Sequence, residues 1–242
     1  MAQFLRALGF SLIILILSAN AWGNQSGTAN LQLSPLQDRQ HTWPNWTVPG
    51  PLRRPKGGED LVFPTWMEGL WAVENHDLQN PGEKSIRHLA RFHRNAQNQV
   101  VGDREFNATS IGRAAFGDQL LRIETKPESP NQQLTFLKGN YTLETRVVGR
   151  LEESIHDEIF LADELVLQIM HGPSIPRISR IETLSLFREC EEGSNFMVDL
   201  NRDASTICAD QWQAKYSGPG EKGENSPEQI NHYFLVLRPL NE

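Results

Sequence analysis

Cysteine is scarce. The 242 residues hold two, Cys190 and Cys208, and neither belongs to a Cys-x-x-Cys or Cys/His cluster, so a structural zinc site has no support. Basic residues are outnumbered: 23 Lys and Arg stand against 30 Asp and Glu, a formal charge of -7. Such a chain has no global electrostatic reason to bind nucleic acid or an anionic membrane face. Arg53-Arg54 is a local exception that reads as solvated linker charge. There is no Gly-x-Ser-x-Gly or Ser-x-x-Lys nucleophile motif and no Walker-type phosphate loop. Histidines are scattered, and His88 and His93 differ by an odd number, which puts them on opposite faces of a regular strand. His156-Asp157-Glu158 reads as solvated loop. No metal, cofactor or catalytic residue is therefore expected, and no long amphipathic helix is read.

Only one long apolar run is present, Leu8 to Leu17, preceded by Arg6 and followed by Ala19-Asn20-Ala21. That is the order of a cleaved signal peptide over residues 1–21, too short for a comfortable membrane span of ~20 residues. Export puts the two cysteines in an oxidising compartment, where they are disulfide candidates. Closing a loop of that size stabilises by ~3 kcal/mol in the chain-entropy model. Two free thiols are the alternative. Residues 22–62 read as a Pro/Gly-rich linker, with Pro35, Pro44, Pro49, Pro51 and Pro55 and no sustained period. In it, Trp43 and Trp46 serve either as a docking hook or as cover packed on the outside of the domain.

From 63 to 240 the chain alternates short apolar segments with turn signals. Strands are expected over about 66–76, 85–93, 99–110, 119–125, 132–137, 141–151, 158–170, 180–191, 195–200, 207–216 and 232–237. Such spacing means an antiparallel sandwich or barrel. Strand parity puts Arg104 with Phe106 and Ala108, and Asp163 with Leu161 and Leu165, on otherwise apolar faces. A buried charge needs a partner or a ligand, and a bulge turning each charge outward is the other reading. Arg104, Phe106 and Asp163 are the candidate ligand-binding residues. Asn24, Asn45, Asn107 and Asn140 open Asn-x-Ser/Thr triplets, relevant only in a glycosylating host.

The stretches Trp66…Gly69-Leu70-Trp71, Asp103-Arg104-Glu105-Phe106-Asn107, Asn131-Gln132-Gln133-Leu134-Thr135, Val148-Gly149-Arg150 and Ile181-Glu182-Thr183, in that order, resemble an uncharacterised exported family of cyanobacteria and plastids, a domain of unknown function. The resemblance covers about Phe63 to Leu240. It implies an all-β, antiparallel lipocalin-like (calycin) β-barrel in the thylakoid lumen or periplasm, and no known activity. In lipocalin-like barrels the Trp of the opening Gly-x-Trp is covered by an Arg of the last strand. Here the pair is Trp71 and Arg238, brought together by pairing of the first and last strands, with Gly69 giving room for a close crossing.

The expectation is a non-enzymatic binding protein holding a small apolar ligand such as a pigment, lipid or quinone in the barrel mouth. An interaction or assembly factor for a membrane (photosynthetic) complex, with a filled barrel, is the alternative. An enzyme acting on such a ligand is the third.

Overall fold

The computed structural model of the chain describes residues 33–56, 58–126, 129–190 and 206–240. The leader, and the turn and strand expected over 192–200, lie outside them. Ten strands form one antiparallel sheet: β1 (Gly69–Asp77), β2 (Ile86–Arg94), β3 (Val100–Gly102), β4 (Leu120–Lys126), β5 (Ser129–Leu137), β6 (Tyr141–Ile155), β7 (Ile159–His171), β8 (Arg177–Glu189), β9 (Ile207–Ser217) and β10 (Gln229–Leu240). Their order is β3-β2-β1-β10-β9-β8-β7-β6-β5-β4. The fold is thus all-β and antiparallel, a sheet curled into a half-barrel. The curl is visible at Phe63, whose ring lies 4.7 Å from Phe92 of β2 and 5.5 Å from Phe160 of β7, strands far apart in the sheet order.

β1 and β10 do share a ladder, Leu70 opposite Leu240 through Asp77 opposite Tyr233. The seam of the half-barrel lies instead between β3 and β4, and the chain fills it with a helix. α2 (Arg104–Phe116; α1 is Pro35–His41) packs on both β2 and β4. This corrects the strand expected over 99–110, which ends at Gly102. Asp103 caps the helix by accepting from the Phe106 N–H at 3.0 Å, satisfying a donor that a helix start leaves open. The buried residues of α2 are Asn107, Ala108, Ile111, Gly112 and Phe116. So mixed a set gives no apolar stripe, which is why periodicity is silent here.

Two aromatic-rich layers hold the sheet. On the concave face Trp71, Val73, Phe92, Phe160, Phe187, Leu235 and Leu237 pack with Phe63 and Met67. On the convex face Leu161, Leu184, Trp212 and Tyr216 are covered by Leu36, Trp46 and Val48. Residues 33–56 and 58–62 therefore form a strap. It opens with a capping box in which Ser34 and Gln37 bond each other's backbone N–H groups. Trp43 and Trp46 meet edge to face at 4.8 Å, and Trp46 donates to the Arg39 carbonyl at 2.6 Å. Their role here is cover.

Cys190 and Cys208 form a disulfide, with Cα atoms 4.9 Å apart. β8 and β9 bring them together, since Arg188 lies opposite Cys208 in the ladder and the Cys190 N–H donates to the Thr206 carbonyl.

Candidate functional chamber

Paired residues in a ladder share a face, so the register shows what lines the concave surface. One row runs Thr125, Gln133, Thr145, Gln168, Ser179, Ser217 across six strands. A second runs Arg150, Glu164, Thr183, Gln213, Asn231. The two polar rows flank an apolar one, Val147, Val166 and Ile181, and lie beyond the aromatic residues described above.

Arg150 reaches this surface through a bulge. Val147 pairs with Val166 and Gly149 with Leu165, so one extra residue of β6 is passed over and Arg150 falls opposite Glu164 on the concave side. Gly149 is required there: a Cβ on it would lie 2.9 Å from Cβ of Leu52 in the strap. The strap pairs with β6 at this point through two backbone bonds between Arg53 and Arg150. The Arg150 guanidinium, 1 % exposed, donates from Nε to Glu164 at 2.7 Å and from Nη2 to Asn131 Oδ1 at 3.1 Å. Burial is the main cause that raises the Glu164 carboxyl to about 7, against the lowering pull of Arg150. Glu152 is raised for the same first reason.

The chamber is unusual in what it leaves unbonded. Both amide atoms of Gln133, the hydroxyls of Thr135 and Thr145, Nε2 of Gln168 and Nη1 of Arg150 are buried with no hydrogen-bond partner among the described residues. An unmet buried polar group costs about 1–3 kcal/mol, and native proteins bury few of them. At the open end the row continues into a pocket of about 290 Å³ lined by Gln168, Arg177, Ser179, Lys215, Ser217 and Glu228. At the aromatic end a cavity of about 50 Å³ lies between Val73, His88, Phe187 and Leu235.

The three ligand-binding candidates scatter. Arg104, the first residue of α2, is ion-paired with Asp60 and sits within reach of the chamber's charges: burial, then the nearby Arg150, lowers it to about 10. Phe106 lies on the other side of α2 under the Arg91 guanidinium, 4.4 Å from the ring centroid. It lines a broad outer groove with Arg87, Arg113 and Arg238. Asp163 is on the convex face, as its parity requires, beneath the strap. There Arg39 makes two 2.7 Å bonds to Glu182, and Tyr216 donates to the same carboxylate at 2.8 Å. Burial first, and the Glu182 charge second, raise Asp163 well above the usual carboxylate range. Both of its oxygens are without a hydrogen-bond partner among the described residues.

The expected Trp71–Arg238 stack does not form. Trp71 pairs with Pro239 and Ala72 with Arg238, so the two side chains leave opposite faces. Trp71 donates to the Met67 carbonyl at 2.9 Å, and Arg238 reaches Glu74 at 3.5 Å. Gly69 is needed for its backbone, φ +136°, since a Cβ there would meet nothing closer than the Trp71 ring at 3.7 Å. Gly218-Pro219-Gly220-Glu221-Lys222-Gly223 has Gly-x-Gly-x-x-Gly spacing, but it connects β9 to β10 rather than a strand to a helix, so it lacks the helix N-terminus that cradles phosphates. Among the described residues no three metal-ligating side chains cluster.

The sequence reading missed Arg150, Glu164, Thr145 and Gln168. A usable signal was present: Asn131, Gln133, Thr135 and Arg150 all come from the short motifs quoted above, and the fold brings these two motifs to one surface.

Fold and chamber together define an antiparallel β half-barrel with a helix in its seam and a polar interior. Residues 55–238 match the family described as a domain of unknown function (DUF6816), and the chain belongs to that family. No curated protein and no solved structure matches it.

Proposed function

We propose that the protein is a non-enzymatic binding protein that holds a small molecule against the polar rows of its concave face. The observation that carries this is the run of buried, unbonded polar atoms from Gln133 through Thr145 to Gln168, continuous with the open pocket. Their cost is offset when a ligand supplies the partners. The polar lining also alters the ligand expected from sequence. A wholly apolar pigment or quinone leaves these groups unmet, so the ligand carries polar atoms, with any apolar part directed toward Leu143 and Met170 at the pocket wall.

In this reading the chain is exported, as Arg6, Leu8–Leu17 and Ala19-Asn20-Ala21 suggest, and a cyanobacterial or plastid origin places it in the thylakoid lumen or periplasm. The disulfide agrees with an oxidising compartment. Kinship with lipocalin-like barrels belongs to the same reading and is supported by the Gly-x-Trp opening and the β1–β10 ladder.

Native mass spectrometry of protein purified from its own host tests the proposal. The expected result is a stoichiometric adduct that leaves on denaturation and is absent from Gln133→Leu/Thr145→Val. A bare chain mass in every native preparation would sink it.

A further inference from the structure

We infer that the ligand bears an oxyanion, seated on the free edge of the Arg150 guanidinium, with further acceptor atoms on Gln133, Thr145 and Gln168. The inference rests on the chamber being a ligand site and adds the chemistry of the group it takes.

The first argument is an inventory of the unbonded atoms. Arg150 Nη1, Gln133 Nε2 and Gln168 Nε2 are donors only, and the Thr135 and Thr145 hydroxyls donate as readily as they accept. The obligate acceptors are Gln133 Oε1 and Glu152 Oε2, the latter on a carboxyl that burial raises, so donors still outnumber them. A surface that offers donors is complementary to a ligand that offers acceptors. Gln133 lies one same-face step along β5 from Asn131, which holds Arg150 Nη2, so the amide and the guanidinium edge are neighbours.

The second argument is charge. Arg150 is buried, and its bonded carboxylate, Glu164, is only partly ionised at neutral pH because burial raises it to about 7. A buried guanidinium without a full counter-charge is costly, and an anion on Nη1 relieves it. The convex pair is the control: there Glu182 takes two bonds from Arg39 and a third from Tyr216, and no nitrogen of Arg39 is left unbonded among the buried atoms. In the outer groove Arg87 and Arg238 already face Glu74, and Arg91 faces Asp103.

The third argument is access. The pocket at the open end shares Gln168 with the polar row, and its charged lining is balanced, Arg177 and Lys215 against Glu221 and Glu228. Its volume of about 290 Å³ suits a small acid or a free oxyanion, at the lower end of ligand-site sizes (~300–1,000 Å³).

Calorimetric titration of the full chain with octanoate, octanol and inorganic phosphate, at pH 6 and on Arg150→Met and Arg150→Lys, decides it. Octanoate should bind at least tenfold more tightly than octanol. Arg150→Met should erase that preference and Arg150→Lys restore part of it. Phosphate binding with the same Arg150 dependence, without octanoate binding, also supports the inference and identifies a free oxyanion as occupant. Equal binding of octanol and octanoate overturns the oxyanion and leaves the chamber a ligand site. Binding by none of the three probes overturns the inference, and the native-mass measurement then judges the chamber separately. Should Arg150→Met fail to fold, Arg150→Gln supplies the same comparison, since it removes the charge and keeps an amide donor for Glu164.

Discussion

Two buried arginine–glutamate pairs lie on opposite faces of this sheet, and their surroundings differ. On the convex face Arg39 and Glu182 are closed in by the strap: Tyr216 bonds the carboxylate, Thr47 takes a further guanidinium N–H at 3.1 Å, and the Trp46 ring lies 4.8 Å away. On the concave face Arg150 and Glu164 form the same primary bond, yet Arg150 keeps a free edge and its neighbours have unmet donors. The first pair fastens the strap to the sheet. The second is organised toward something that enters. Burial of charge alone does not distinguish structure from site; how fully the guanidinium's own hydrogen bonds are met does.

Four measurements break or sharpen that contrast. Arg39→Ala removes the cation that faces two buried carboxyl groups, and should cost ~3–5 kcal/mol in urea denaturation. A loss as small as that of a surface pair would deny the strap its ionic fastening. Next comes pH. Folded Glu164, at about 7, keeps a proton that the unfolded chain releases near 4.5. The native state then binds more protons between those values, so stability falls as pH rises from 4.5 to 7, by on the order of 3 kcal/mol. Asp163 acts in the same direction from 3.8 upward. Glu164→Gln and Asp163→Asn should each flatten the stability–pH curve, and an unchanged slope in both would contradict the burial argument.

Gly149→Ala follows. The new methyl presses on Leu52 and should cost ~1–3 kcal/mol. Because the same bulge aims Arg150 inward, ligand binding should weaken with it; full binding in a destabilised variant would separate the two faces. The smallest effect has the opposite sign. Gln133→Leu with Thr145→Val removes unmet polar atoms from the interior, so stability should rise by ~1–2 kcal/mol while binding is lost. A fall in melting temperature would mean those groups are satisfied in the apo protein.

These expectations depend on features of uneven legibility. Turn chemistry marked most strand ends: Lys138-Gly139-Asn140 separates β5 from β6, and Asn140 takes the φ of +60° that such a turn requires. Asp163 was correctly placed on the face of Leu161 and Leu165. On β5 the same parity rule misleads. Leu134 and Phe136 mark the outer face, where Arg122 lies 3.7 Å over the Phe136 ring, while Asn131, Gln133 and Thr135 turn inward. Alternation identifies two faces but not which is inside when the interior is polar. The bulge at Gly149 leaves no periodic trace, and it decides where Arg150 points. α2 was missed because its buried side is Asn, Ala, Ile, Gly and Phe.

Beyond the end of β3, the outer edge of β2 has no strand beside it. α2 closes it with side chains: Asn107 accepts from the Arg91 N–H at 2.6 Å and donates to the Arg91 carbonyl at 3.0 Å, and Ser110 accepts from the Leu89 N–H at 2.7 Å. A carboxamide here imitates the peptide group of a missing neighbour. An open edge of this kind is a template on which a second chain adds by β-pairing and polymerises. Asn107 therefore guards solubility, and it is also the Asn of an Asn-x-Thr triplet. A glycan attached to that buried amide nitrogen, or a substitution to leucine, would unlatch the edge and turn a self-contained half-barrel into a unit that stacks.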